Sequence, residues 1–348
     1  MKNKKRAANT VLRFAAAAVL IGSVFFASCA KKTKTLTQVE ENGKTYYQIK
    51  TWSRSDCTDA PFVVAEKKGF FEEEGIKIVY TGETQPPQRI ASILNGDNDV
   101  GTAHPNTLAI AREGGAPVRG VARSIIEPPP EITDVHLQHM WWVTRKDGPY
   151  QSWEDVRNSP RPVKLQLLLR NACIDFLTDI VLEKYNIPRD KIEYITMPDI
   201  EGVLALKEGL IDIATPHPPF YATLEEWGEF TTLITSREIA GEQAGTYLYY
   251  FADDFIEKNE EPIRRFVAAI KKAERWANEN PEQTAQWTEE AIGIPVRANH
   301  YYADNARIYD DQIDYWIQGS IKSGALPADT KITTADIITH KFDQAGDR

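Results

Sequence analysis

The chain has 348 residues, 42% of them hydrophobic and 26% charged, and a formal net charge of −9. That is an ordinary globular composition with ample length for two domains, and no disulfide scaffold is needed to support it. Acidity on this scale argues against nucleic acid or an anionic membrane surface as a partner.

Lys2, Lys4, Lys5 and Arg6 precede the apolar run FAAAAVLIGSVFF, which ends in Ala27 and Ser28 just before Cys29. Cations, a short apolar core and small residues make a secretory signal over 1–28, and 13 apolar residues are too few to span a bilayer as a stable helix. A cysteine directly after the small residues resembles a bacterial lipobox, which implies cleavage before Cys29, a lipid on its sulfur and a tether over 29–44. Removing 1–28 takes away five cations (Lys2, Lys4, Lys5, Arg6, Arg13) and no anion, moving the formal charge from −9 to −14. Any anionic ligand must then be held by a local cluster of donors working against the overall field.

The mature chain alternates strands, loops and helices. YYQIKTW reads as a strand, SRSDCTD as a loop, APFVVAEKK as a helix closed by Gly69, and IKIVY as a second strand. Pro86 and Pro87 open a helix ending at Gly96, DVGTA is a short buried strand, and Pro105 opens another helix. The pattern then repeats. VKLQLLL is a strand, RNACID a loop, FLTDIVLEKYN a helix and KIEYIT a strand, followed by the helix IEGVLALKEG and the strand LIDIA.

Two short phrases tie the copies together. GDNDVGTAHP (96–105) and GLIDIATPHP (209–218) share Gly, Asp, Thr, His and Pro at an offset of 113 residues. RSDCTD (54–59) and RNACID (170–175) both read R-x-x-C-x-D, at an offset of 116. Their order predicts an internally repeated α/β lobe. The Pro-rich SIIEPPPEITD leads from one copy to the strand HLQHMWWV, and GTYLYYF leads back, so two extended crossings should form a hinge. The expected organisation is one lobe of 45–124 with 246–348 and a second of 125–245.

Ligands of open α/β sheets bind beyond the carboxyl ends of the strands. This places the repeated loops on facing rims of one cleft. Candidate ligand contacts are Trp52, Arg54, Asp56, Cys57, His104, Arg170, Asn171, His217 and Phe220, with the two arginines suited to carboxylate, sulfonate or phosphate oxygens. Asp99 and Asp212 read as residues that satisfy backbone donors at strand entrances, and Trp141 and Trp142 as core. Cys57, Cys173, His104 and His217 match no zinc spacing, so neither a metal nor a cofactor is expected. A disulfide between Cys57 and Cys173 remains open.

The runs APFVVAEKKGFFEEEGIKIVY, RIASILNGDNDVGTAHPNTLAIAREGGAPVRGVA, SWEDVR, VLALKEGLIDIATPHPPF and PIRRFVAAIKKAERWANENPEQTA make residues 45–295 similar to substrate-binding proteins of ABC importers in the nitrate, taurine, alkanesulfonate and thiamine-pyrimidine group. The resemblance implies a two-lobed type 2 periplasmic-binding fold, a small organic ligand trapped by hinge closure, and delivery by a monomeric receptor to a membrane permease with its ATPase. Trp52 resembles the aromatic of the pyrimidine-binding branch. An enzyme on the same scaffold, akin to a pyrimidine-precursor synthase, is disfavoured by the signal peptide and the lack of a cysteine-rich motif. A ligand-sensing lipoprotein keeps the same cleft.

Overall fold

The computed structural model describes residues 35–55, 57–296 and 299–347, without the side chains of Cys57, Pro219 and Ala222. The signal segment, Cys29 and Asp56 lie outside the described residues. Among the described residues no helix is long and apolar enough to cross a membrane.

The repeat is a repeat of topology. In the first sheet, Lys44–Thr51 pairs in parallel with Ile76–Tyr80, and on its other side the Lys50 carbonyl accepts the backbone N–H of Asp99 and Val100 at 2.9 and 3.2 Å. Gly101–Ala103 continues from there and pairs antiparallel with Leu248–Ala252, which pairs antiparallel with Val118–Arg123. In the second sheet, Val163–Leu167 pairs in parallel with Ile192–Thr196, and the Lys164 carbonyl accepts N–H from Asp212 and Ile213 at 2.9 and 3.0 Å. Ala214 then bridges antiparallel to Val143 in Trp141–Arg145, which pairs antiparallel with Phe230–Thr235. Each sheet thus receives one strand, Leu248–Ala252 or Trp141–Arg145, from chain that has just crossed over.

Asp99 and Asp212 explain part of the repeated phrase. Each carboxylate accepts the backbone N–H of the lysine on the neighbouring strand, Lys50 or Lys164, at 2.8 Å. A strand entrance would otherwise leave that donor unpaired at a cost of about 1–3 kcal/mol. These aspartates hold strands together, and the Gly before each supplies a turn with φ near +70°.

Apolar side chains collect in separate clusters. Ile49, Val100, Val121 and Phe251 of the first sheet pack with Phe62 and with Ile263, Phe266 and Ile270 of the helix Glu260–Glu279, whose three- and four-residue spacing puts one stripe inward. Trp142, Leu165 and Ile234 pack with Leu177 and Val181 on one face of the second sheet, while Trp141 packs with Val203 and Leu224 on the other. Adjacent tryptophans serve opposite faces because strand side chains alternate. The long helical region after residue 260 is two helices, Glu260–Glu279 and Pro281–Ile292, since Pro281 has no N–H with which to continue the first.

At the crossings, Ser124 N–H donates to the Tyr247 carbonyl at 2.7 Å and Tyr247 N–H to the Ile125 carbonyl at 3.0 Å. Gly245 fits because it has no side chain: a Cβ there would stand 2.4 Å from the Glu127 nitrogen. A third segment joins them, with Tyr301–Tyr302 paired to Ile125–Ile126. The helix Asp310–Ser323 then sends Trp316 into the second lobe's core, where it stacks on Phe176 with ring centres 4.2 Å apart.

Candidate functional site

His104 and His217 each immediately precede a helix opened by proline, Pro105–Glu113 and Pro218–Trp227. Proline at the first helical position has no N–H to leave unsatisfied, so the residue before it stays extended and its side chain points off the end of the strand. The His104 ring donates from Nδ1 to the Thr246 carbonyl at 2.8 Å and stacks on Trp316 with centres 4.9 Å apart. The His217 ring donates from Nδ1 to Asp199 Oδ2 at 2.6 Å. In both cases the bond commits Nδ1 and leaves Nε2 as the nitrogen for another partner.

Cys173 opens the helix Cys173–Lys184, three residues earlier than a loop reading of RNACID through Asp175 allows. It is a free thiol, with Sγ 3.8 Å from His217 Nε2. Two histidines not singled out from the sequence complete the group. His139 stands just before the strand Trp141–Arg145, and its ring centre lies 4.9 Å from His104, 5.2 Å from His217 and 5.2 Å from His300. His300 stands just before Tyr301–Tyr302. Ligand-capable atoms of His104, His139 and Cys173 all lie within 4.8 Å of one another. Four of the chain's six histidines and one of its three cysteines therefore meet at one point, drawn from five separate segments.

The group is buried: His104, His139, His300 and Cys173 are at most 5% exposed. Neither ring nitrogen of His139 or of His300 has a hydrogen-bond partner among the described residues. Burial holds both rings well below the ordinary histidine value, so they are neutral. Burial also pushes His217 down, but the Asp199 carboxylate outweighs it and holds this imidazole well above its usual range. Burial pushes the Cys173 thiol up, yet His104 and His217 outweigh it and bring the thiol down to about 6. The helix N-terminus adds to that preference for thiolate.

Beside this group lies a cavity of about 380 Å³. Asn106 contributes from the first lobe, Arg170, Asn171, Asp175 and Asp179 from the second, and the end of the helix Asp310–Ser323 closes it. Asn106 Nδ2 donates to the Asn171 carbonyl at 3.3 Å, joining the two rims. Asn171 has φ of 58°, a left-handed conformation that asparagine tolerates better than most residues.

The repeated R-x-x-C-x-D loops carry a structural role on both sides. The Arg54 guanidinium lies 4.6 Å from the Tyr80 ring centre and pairs with Glu66 at 2.5 Å. The Arg170 guanidinium lies 4.3 Å from the Tyr194 ring centre and pairs with Asp175 at 3.1 Å. Asp59 accepts the Ser55 N–H at 2.9 Å, and Asp175 accepts the Asn171 N–H in the same way. Arginine, tyrosine and aspartate thus pin the loop after each first strand. Arg170 borders the cavity as well, whereas Arg54 is engaged with Glu66 and Tyr80 and no contact draws it toward the histidines.

Trp52 is buried, with the Arg89 guanidinium 4.8 Å from its ring centre and Gly101 packed against its far edge. Phe220 is half-buried against the Trp141 cluster. Of the residues expected from sequence, the fold thus joins His104 with His217, lines the cavity with Arg170 and Asn171, and packs Trp52 and Phe220 against core. The absence of a zinc spacing says little here, because the five side chains come from distant segments. The available signal was a histidine before each of four strands or helices at the crossings and repeated loops.

Two α/β lobes of matching strand order, joined where chain crosses between them, define the periplasmic-binding-protein fold. The chain belongs to the NMT1/THI5-like family, whose model matches residues 58–284. It is 25% identical over 265 residues to YtlA of Bacillus subtilis (strain 168), which carries the name of a binding protein; the match covers 74% of this chain and 72% of that one. Among solved structures, the periplasmic aliphatic sulphonate binding protein SsuA from Escherichia coli has a TM-score of 0.67 at 15% identity, covering 84% of this chain and 92% of its own. The ligand-binding component of an ABC-type import system from Staphylococcus aureus, solved with zinc bound, has a TM-score of 0.67 at 12% identity and covers 86% and 98%.

Proposed function

We propose that this chain is the extracytoplasmic solute receptor of an ABC importer, held at a bacterial membrane by a lipid on Cys29. Its lobes comprise 45–124 with 246–348 and 125–245, and a small organic ligand bridges them. Ligand affinity for the closed form shifts the hinge equilibrium and presents a closed surface to the permease and its ATPase. The observation that carries this reading is the cavity walled by Asn106 from one lobe and by Arg170 through Asp179 from the other. Its volume falls in the range of small-molecule sites, roughly 300–1,000 Å³.

The lining narrows the ligand class. Arg170 and Arg189 line the cavity and would meet a sulfonate, carboxylate or nitrate group there, and both keep half of their side-chain surface open although each is paired to an aspartate. Asp175 and Asp179 beside them suit a cationic end, so an aminosulfonate such as taurine fits the lining better than a simple anion. The names of YtlA and SsuA support a binding role. The test is a thermal-shift screen of the purified protein with taurine, alkanesulfonates, carboxylates, nitrate and pyrimidines. A ligand at a hundredfold excess over its Kd adds about 2.7 kcal/mol of stability. Failure of every class to shift the transition, or a shift that survives in Arg170→Ala, counts against the reading.

A second reading is favoured by one observation: Cys173, His217 and Asp199 stand in the order of nucleophile, base and orienting carboxylate. An enzyme of the same fold would consume its ligand. Product appearing in the screen, and lost in Cys173→Ser, would select it.

A further inference from the structure

We infer that His104, His139 and Cys173, with His217 against the sulfur and His300 beside His139, form a binding site for one d-block metal ion of the zinc class, assembled where the two lobes meet. The ligand chemistry is complete before any ion arrives. Nitrogen and thiolate sulfur are the donors such ions prefer over oxygen. Zinc takes nitrogen at about 2.0–2.1 Å and sulfur at about 2.3 Å, which sets tetrahedral ligand atoms roughly 3.5 Å apart. Cys173 Sγ and His217 Nε2 are 3.8 Å apart, and the atoms of His104, His139 and Cys173 lie within 4.8 Å of one another. A contraction of at most about 1.3 Å in the widest separation closes such a set on an ion.

Three independent features point the same way. First, the second shell is built: Asp199 holds His217 Nδ1 and the Thr246 carbonyl holds His104 Nδ1, fixing the tautomers and freeing each Nε2. A carboxylate or carbonyl on the far nitrogen is the usual arrangement behind a metal-bound histidine. Second, the ring nitrogens of His139 and His300 are buried with no hydrogen-bond partner among the described residues. Each such group costs about 1–3 kcal/mol left bare, and an ion would pair one nitrogen of each ring that reaches it. Third, close packing of four imidazoles against one sulfur has little value as a hydrophobic core, whereas Trp316, Tyr247 and Phe176 around it exclude water as a metal shell does.

His104 and His300 come from the first lobe as bounded above, and His139, Cys173 and His217 from the second. An ion there joins both lobes. The consequence for closure rests on the receptor reading, while occupancy itself does not.

The test starts from protein stripped of metal with a chelator and dialysed. Titration with Zn²⁺ should load one ion per chain, and Co²⁺ should give a thiolate-to-metal charge-transfer band that Cys173→Ser abolishes. His139→Ala and His300→Ala should each weaken Zn²⁺ binding by more than roughly tenfold. His136→Ala and His340→Ala, at surface histidines paired with Asp134 and Glu225 and with Asp310 and Asp343, should bind as the parent does. Circular dichroism confirms that each variant is folded; should Cys173→Ser not fold, the two alanine variants and the parent's cobalt band decide. Substoichiometric zinc, or equal affinity in the cluster and surface variants, overturns the inference. An organic ligand bound by protein that takes up no metal also overturns it and leaves the receptor reading standing. Stoichiometric metal with no organic ligand does the reverse.

Discussion

His217 donates from Nδ1 to Asp199 Oδ2 at 2.6 Å, and this bond turns its Nε2 toward Cys173. Its counterpart in the repeat, His104, spends the same nitrogen on a backbone carbonyl. The two histidines of the repeated phrase therefore differ in what holds the ring, a carboxylate or a backbone carbonyl, although their sequence context is nearly the same. At His217 the Asp199 carboxylate favours a proton on the ring.

Asp199→Asn should uncouple that arrangement. With the carboxylate gone, burial dominates at His217, its value falls, and Cys173 loses part of what keeps its thiol near 6. The ultraviolet absorbance of the thiolate, followed against pH in metal-free protein with Cys173→Ser as the blank, should titrate at higher pH than in the parent. An unchanged titration would remove His217 from the account of Cys173.

Arg54→Ala should leave ligand affinity within about twofold of the parent, because its guanidinium is committed to Glu66 and Tyr80. Stability should drop by about 1 kcal/mol or less, the usual worth of a partly exposed ion pair with a ring contact. Denaturant unfolding and calorimetric titration measure the two effects separately. A large loss of affinity would return Arg54 to the ligand contacts.

Gly245→Ala places a methyl group 2.4 Å from the Glu127 nitrogen at the crossing. Backbone cannot yield as a flexible side chain does, so overpacking of about 1–3 kcal/mol is expected. Thermal unfolding should show the loss. Small-angle scattering should also show a more open form, since the crossing strands must separate to make room.

Glu127, buried at the same crossing, accepts the His139 N–H, and burial pushes its carboxyl up to about 7. The folded chain therefore keeps a proton that the unfolded chain loses near its ordinary value of 4.5. The stabilising contribution is full below about pH 4.5 and is lost as pH rises toward 7, by on the order of 2–3 kcal/mol. Glu127→Gln should flatten that part of the stability curve in denaturant unfolding between pH 5 and pH 8, while a slope equal to the parent's would assign the proton elsewhere.

Much of the fold was legible because its determinants are local. Strand alternation, proline before helices and glycine after them marked the strands and helices of the two repeated units, and the paired phrases marked the repeat. One departure has a local cause too: the helix begins at Cys173, where the Asp175 carboxylate accepts the Asn171 N–H and draws the loop into the first turn. The site was half legible. His104 and His217 stood out by repetition, whereas His139 and His300 sit in unrepeated segments and gave no spacing that metal motifs share.

By itself the sequence determined the α/β lobes, their duplication and the family, since periodicity, turn chemistry and repeated phrases are properties of contiguous residues. Tertiary structure decided what the duplicated residues do. Arg54 and Arg170 face tyrosines because each loop lies over the end of the neighbouring strand. Five metal-capable side chains meet because the crossing strands bring distant segments together, and packing around Trp316 then removes the water that would otherwise satisfy them.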